Sequence, residues 1–392
     1  RESPPAQRAS GCPALPRCMT RSGLFPALAL LVSTASAAPE ADAAPEPRLE
    51  PALAPAVEPA ATPAPSPVEA KSVVAYALLP ASVEGGVIRA GMVARMVDAV
   101  VQTVAGKPDI GAAWRVWVDP KDRVGIKVSA AGAPVSSTHA EVVAAVAAGL
   151  EAAGVAAENI VIWDRLGRDI GLAGYEQLSA RYKVTSTDAE GGYDNKEKLL
   201  AAVMGKLIIG DVEFGRKSGD QVSSTSHLSS VLGRVDKVVH VPALADSIHS
   251  GLRGALAGMI LDNLDNWRRL ARPPHYGDPY LAELYSDPRL GGKVVLTILD
   301  ALRPQYAGGP FPGAEFSVNY GAIFASCDPV AVDATGMRLL DDFRGDAKLP
   351  ALAKITGWLA SAEAVGLGRA SEANIELVRT GLEGEVRMEK NP

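Results

Sequence analysis

From Lys71 onward, short β-branched runs alternate with longer stretches of helical periodicity. That pattern predicts a mostly parallel sheet covered by helices on both faces, a Rossmann-like α/β fold. Strands are expected at 123–128 (RVGIKV), 159–163 (NIVIW), 237–242 (KVVHVP), 293–299 (KVVLTIL) and 321–326 (GAIFAS), with weaker ones at 73–79 and 206–214. Thr138 and Glu141 read as a capping box for a helix over 138–153, striped by Val142, Val143, Val146 and Leu150 and ended by Gly154. Asp328-Pro329 opens a second helix with the stripe Val330, Ala334, Met337 and Leu340. A third is expected from about Gly251 to Leu270, carrying Leu252, Leu256, Met259, Ile260 and Trp267. Residues 186–230 are more polar and read as an insertion or small subdomain within a single α/β domain over 71–392.

The preceding residues have a different texture. From Met19, a basic start at Arg21, an apolar run Leu24–Val32 and the small residues Ala35-Ser36-Ala37 give the layout of a secretory signal peptide over 19–37. The run is too short to span a bilayer, so the mature chain is expected to lack a transmembrane segment and to be periplasmic or secreted. Residues 1–18 read as upstream sequence, and 38–70, rich in Pro and Ala without Gly or aromatics, as a disordered semi-rigid spacer. Cleavage after Ala37 would remove Cys12 and Cys18 and leave Cys327 alone.

Composition narrows the chemistry. Lys and Arg number 39 against 45 Asp and Glu, for a formal charge of -6, and no basic tract is present, so no nucleic-acid partner is expected. Only 5% of residues are aromatic, which supplies stacking platforms poorly. Three Cys and no CxxC argue against an in-chain iron–sulfur cluster. GxSxG and HExxH are also absent, and GLGRAS (366–371) follows a helical stretch where a dinucleotide fingerprint needs a strand.

In open α/β sheets, ligands bind beyond the carboxyl ends of the strands. There the expected strands deliver Lys127, Asp164, Asp246, Asp300 with Arg303, and Asp328. Lys127 sits in a strand buried on both faces, so it either pairs with a strand-end Asp or grips an anionic substrate. Asp328, followed by Pro329, also reads as a helix cap, and Asp333 lies on an inward stripe where a carboxylate wants a partner (Arg338 or Arg303) or a metal. His139 opens the 138–153 helix on its apolar face, and His249 precedes the third helix; His240, between Val239 and Val241, reads as a core residue. Small residues in AAGAPVSST (130–138), Ser137 among them, together with the helix start, suit an anion.

These segments resemble the domain of unknown function 362 family. The resemblance rests on VGIKV, STHAEVVAAV, NIVIWDR, VVHVPALADS followed by GLRGAL, DPYLAEL, LTILDALRPQYAGGP and NYGAIFASCDPVAVD, in family order across roughly residues 120–370. It implies an α/β domain in a family with many exported members, some bearing ferredoxin-type clusters. This chain departs from the pattern at Ala245 and Ser247, where Lys and His are usual, at Ala257 and Gly258, where Lys and Asn are usual, and at Gly277, where Cys is usual. Asp246 is kept, and His249 stands where it can replace the lost His.

The expectation is an exported enzyme acting on a small anionic or polar molecule in a strand-end cleft. Lys127, His139, Asp246 and His249 are its candidate catalytic groups, and Asp164, Arg303 and Ser137 contact the substrate. Asp300, Asp333 and Asp328 are the candidate ligands of a divalent metal. An oxygen-rich set suits Mg, Ca or Mn, and a His among the ligands allows Zn or Ni. The alternative is a non-catalytic periplasmic ligand-binding or envelope-associated protein, favoured by the long spacer and the altered Ala245/Ser247 loop.

Overall fold

Strands rich in Val and Ile form where both faces can be covered, and here they are covered on both. The computed structural model describes residues 71–206 and 222–388. The leader and spacer read at 19–37 and 38–70, and the weaker strand at 206–214 beyond Lys206, lie outside these residues.

The chain enters the sheet through β1 (Ser72–Leu78), makes a small hairpin of β2 (Val83–Glu84) and β3 (Val87–Ile88), and continues into α1 (Ala90–Ala105) and α2 (Ile110–Trp114). Next come β4 (Val124–Val128), α3 (Ala140–Ala152), β5 (Ile160–Asp164), α4 (Gly167–Leu172), α5 (Glu176–Ser179) and β6 (Lys183–Ser186). The polar stretch carries an antiparallel pair, β7 (Tyr193–Lys206) and β8 (Val222–Ser229). It is followed by β9 (Lys237–Val241), β10 (Ala243–Ser247), β11 (Gly251–Arg253), α6 (Ala255–Leu261) and α7 (Tyr280–Tyr285). The long β12 (Val294–Gln305), β13 (Ala322–Ser326), α8 (Pro329–Asp346), α9 (Trp358–Ala364) and β14 (Ile375–Arg379) complete the order.

The main sheet runs β14-β1-β13-β12-β9-β4-β5-β6. Its half from β12 through β9, β4 and β5 to β6 is parallel, and β13 is antiparallel to both β1 and β12. β10 branches beside β12, and β11 folds back on β10. One core joins α1, α2 and α3 to Val124, Ile126, Val128, Ile160 and Ile162. The other joins α6, α7, α8, α9 and the buried side chains of the β7–β8 pair to Val161, Trp163, Val238 and Leu299. The strict alternation between these sets puts Lys127 and His240, register partners on β4 and β9, on the face that α6 covers. Among the described residues no helix is long and apolar enough to cross a membrane.

Two expected elements differ from those observed. The helix expected over 251–270 is instead β11, the seven-residue α6 and a single helical turn at Trp267–Arg269. Gly251, at φ +79°, takes a left-handed conformation that an L side chain resists, and there the chain turns back into β11, so the helix starts only after Gly254. The capping box at Thr138 is likewise replaced: α3 starts at Ala140 with His139 as its N-cap, and Thr138 Oγ1 donates to Val241 O (2.6 Å) and accepts from Ser129 N (3.0 Å). Thr138 ties β4 to β9 and leaves the helix start to another group.

Candidate functional site

A cavity of about 570 Å³ opens beyond the carboxyl ends of β4 and β5. The loop 131–133 after β4 and the turn Asp164-Arg165-Leu166 after β5 form one side. Ser247, His249, Ser250 and Arg253 from the β10–β11 hairpin form another, with Ala257, Gly258, Leu261 and Asp262 from α6 opposite. Trp267, Arg268 and the segment Pro310–Pro312 close the rim. Four arginines (165, 168, 253 and 268) and three aspartates (164, 169 and 262) therefore face one hollow. The guanidinium of Arg165 lies 5.4 Å and that of Arg268 5.2 Å from the centroid of the Trp267 ring. This is cation–π distance, and it holds both charges at the mouth.

Beneath the floor lies Lys127, fully buried. Its Nζ donates to Asp164 Oδ1 at 2.7 Å, to Val128 O at 2.7 Å and to Asp262 Oδ2 at 3.2 Å. All three ammonium protons are thus placed, and no face of Lys127 meets the cavity. A buried lysine needs such pairing to stay charged. Burial drives the Asp164 carboxyl upward, but Lys127, Arg253 and the Ala130 amide (2.5 Å) outweigh it and hold it below the usual carboxylate range. Asp262 goes the other way. Burial raises it, the nearby Asp164 charge raises it further, and the pull of Lys127, Arg253 and Arg165 does not cancel the rise. Asp262 also ends α6, where the helix dipole disfavours a negative charge. Its side chain keeps 19% of its surface exposed, on the cavity wall. The triad thus holds one fixed anion, one sealed cation and one carboxyl that takes a proton more readily than usual.

Of the residues singled out from sequence, Asp164 and His249 line the cavity. The His249 ring packs edge-on against Trp267 at 5.0 Å, and burial, with Arg268 adding, lowers its pKa. Lys127 supports the floor where direct contact with substrate was expected. Asp246 stands one shell back: its Oδ1 accepts from Gly309 N at 2.8 Å, which seats the segment leading into Pro310–Pro312. Burial raises its carboxyl despite that amide and Arg344.

His139 and Asp300 form a separate pair. Asp300 Oδ2 accepts from His139 N and faces His139 Nδ1, both at 2.8 Å, while Oδ1 accepts from Leu302 N at 3.0 Å. Burial lowers the His139 pKa, yet the Asp300 charge and hydrogen bond more than offset it, and the net shift is upward. Asp300 therefore serves the start of α3 that the capping box was expected to serve. Ser137 is buried in the loop before it, and Arg303 lies on β12 near His139; neither lines the cavity.

The candidate metal ligands do not come together. Asp328 caps α8 through Ala331 N (2.8 Å), and its other oxygen accepts from Arg369 N (2.8 Å) and Ser72 Oγ (2.5 Å). Asp333, on α8, caps α6, accepting from Ala255 N at 2.5 Å and Leu256 N at 2.9 Å. Neither Arg338 nor Arg303 pairs with it. Gly254 makes this approach possible, since a Cβ there would run into the Asp333 carboxylate. Among the described residues no group of three or more His, Cys, Asp or Glu is placed to hold a metal ion.

Burial pushes Asp333 up to about 7 against the pull of the two amides. The folded chain then keeps a proton that the unfolded chain gives up near pH 4. The contribution of this group to stability is therefore greatest below about pH 4 and declines as pH rises through about 7. Asp333→Asn removes the titration, and urea midpoints measured from pH 4 to 8 should fall less steeply with pH than in the wild type. An unchanged slope would show that Asp333 does not carry it.

Sequence reading missed Asp262, Arg253, Arg165, Arg168, Arg268 and Trp267. The signal available was the polar pair Asp262-Asn263 interrupting an apolar periodicity, and the Arg that follows Asp164 directly at its strand end.

A family model described as a domain of unknown function (DUF362) matches residues 124–338. These residues run from β4 into α8 and contain every residue that lines the cavity. No curated protein sequence matches the chain. Among solved structures, it is similar to the lactate racemase apoprotein from Thermoanaerobacterium thermosaccharolyticum, at 11% identity and a TM-score of 0.33, over 63% of this chain and 55% of that one. Ser247, Ala257 and Gly258, positions the resemblance marked as altered, line the cavity.

Proposed function

The chain belongs to the domain of unknown function 362 family, and from that premise we propose that it is an exported enzyme transferring a proton to or from a small anionic substrate held in the strand-end cavity. The observation that carries this reading is Asp262: a carboxyl on the cavity wall, bonded at 3.2 Å to a sealed lysine and raised in pKa by burial. Groups with displaced proton affinity in a cleft are the expected acids and bases of catalysis. The four arginines supply attraction for an anion and counter the charge that develops when its proton leaves.

In this reading Asp164 stays ionised and anchors Lys127. Lys127 steadies whichever form of Asp262 carries charge, without touching the substrate. Arg165 and Arg268, stacked on Trp267, hold the anion at the mouth. His249, its pKa lowered, is a neutral neighbour able to accept or donate a hydrogen bond.

The test is hydrogen–deuterium exchange at carbon, read by proton NMR, for a panel of small mono- and dicarboxylates incubated with the full chain in D₂O. At least one acid should lose a C–H signal. Binding of acids without exchange of any would favour the second reading, non-catalytic capture, which the sealing of Lys127 away from the cavity supports.

Export belongs to the same proposal. Protein recovered from the periplasmic or culture fraction should have a mass that begins at Ala38. Recovery only from the cytosol, with residues 19–37 intact, would overturn it.

A further inference from the structure

Part of the inner cavity wall is Gly258. A Cβ at this position would stand 3.3 Å from Cε1 and 3.4 Å from Nε2 of His240, and 3.8 Å from Ser129 Oγ. Gly258 therefore lines the cavity and, lacking a side chain, lets the His240 ring and the Ser129 hydroxyl pack closely against its backbone. His240 and Ser129 are fully buried, yet among the described residues neither ring nitrogen of His240 nor the Ser129 hydroxyl has a hydrogen-bond partner. Arg253, which lines the same cavity, holds Ala131 O through Nη1 while its buried Nη2 has none.

Proteins rarely leave buried polar atoms unmatched, because each forfeits its hydration without return. Two such side chains packed against Gly258 and a third on the wall of the same cavity make an unmatched hydrogen-bonding set. All three can donate: a serine hydroxyl, a guanidinium nitrogen and the protonated ring nitrogen of a neutral histidine. Burial first, then the charges of Lys127 and Arg253, hold His240 well below its usual pKa, so it stays neutral. The aspartates beside this set, Asp164 and Asp262, already face Lys127.

We propose that Ser129, His240 and Arg253 form an inner subsite, reached past Gly258, that receives the oxyanion end of the ligand, a carboxylate or a phosphoryl group. The inference rests on the cavity being the ligand site and names what its deep end recognises.

The test is isothermal titration of the full chain with malonate and, separately, with inorganic phosphate, for the wild type and for Ser129→Ala, His240→Leu and Arg268→Ala. Wild type should bind at least one anion, and the anion whose affinity Ser129→Ala weakens identifies the source. Ser129→Ala and His240→Leu should each weaken that binding about tenfold, the scale of one lost hydrogen bond. Their melting temperatures should stay level or rise, since an unmatched polar group is replaced by an apolar one. Ser129→Ala keeps the test decisive if His240→Leu does not fold. Unchanged affinity in both inner variants with binding lost in Arg268→Ala would overturn the subsite and leave the cavity reading standing. A fall in stability with unchanged affinity would assign these groups to a structural water and overturn it as well. No binding of either anion by the wild type would overturn both readings.

Discussion

Replacing Lys127 with Ala should destabilise the fold by about 3–5 kcal/mol, the cost of stripping one partner from a buried ion pair. The ammonium is fully enclosed and bonds Asp164, Asp262 and the Val128 carbonyl. Its removal leaves two buried carboxylates without the ammonium that bonds both, and their repulsion, which the charges of Arg253 and Arg165 offset only in part, must be relieved by protonation or by unfolding. The variant should therefore lose most stability near neutral pH and recover part of it in acid. Equilibrium urea denaturation at pH 5 and pH 8 measures both effects. A variant as stable as the wild type at pH 8 would show that Lys127 is not the keystone of the floor. The double variant Lys127→Met with Asp164→Asn should recover part of the loss, because it leaves no unmatched ionised pair.

Asp262→Asn should slow exchange of the panel acid by about 100- to 10,000-fold, the range for a positioned general acid or base. Asn has the same shape and keeps an oxygen toward Lys127, so binding should change little. The variant's stability should match or exceed that of the wild type, because the replaced carboxyl sits where burial and Asp164 work against its charge. The pH profile carries the sign. If Asp262 acts as the base, the wild-type rate rises as its carboxyl ionises and levels above its raised pKa. In Asp262→Asn that limb disappears. Exchange at wild-type rate in the variant would remove Asp262 from the chemistry.

The pairing of Lys127 with Asp164 was legible in the sequence, whereas Asp246 and Asp300, expected on the same rim, do not line the cavity, and Asp328 follows a strand that runs antiparallel to β12. For the pair, an ammonium inside a run of Val and Ile must find a carboxylate, and Asp164 stood at the corresponding end of the next parallel strand. Asp328 was legible as a cap because Pro329 follows it. What failed to show was anything made by tertiary crossing. Asp333 caps a helix 77 residues before it, and Asp300 binds the start of α3 from 161 residues away. No local spacing encodes such partners. Asp262 was hidden for another reason. The apolar periodicity from Leu252 to Trp267 reads as one helix, and in one helix Asp262 would be an ordinary polar position. The turn at Gly251 and the early end of α6 instead leave it as a terminal residue over Lys127. The catalytic roles expected of His139, from its place at the start of a helix, and of Asp246, from its place after a strand, rested on position along the chain, which does not say how far from the hollow a side chain settles.

In the proposed reading, the surroundings of the Asp262 carboxyl hold it as a proton-exchanging group on the cavity wall. Carboxyl-carbon NMR of aspartate-labelled full chain, titrated with and without malonate, tests it most directly, with Asp262→Asn assigning the resonance. The expected result is a midpoint above the ordinary aspartate value of about 3.9 and a change in that midpoint when malonate occupies the cavity. A resonance that titrates at or below the ordinary value and ignores malonate would contradict it.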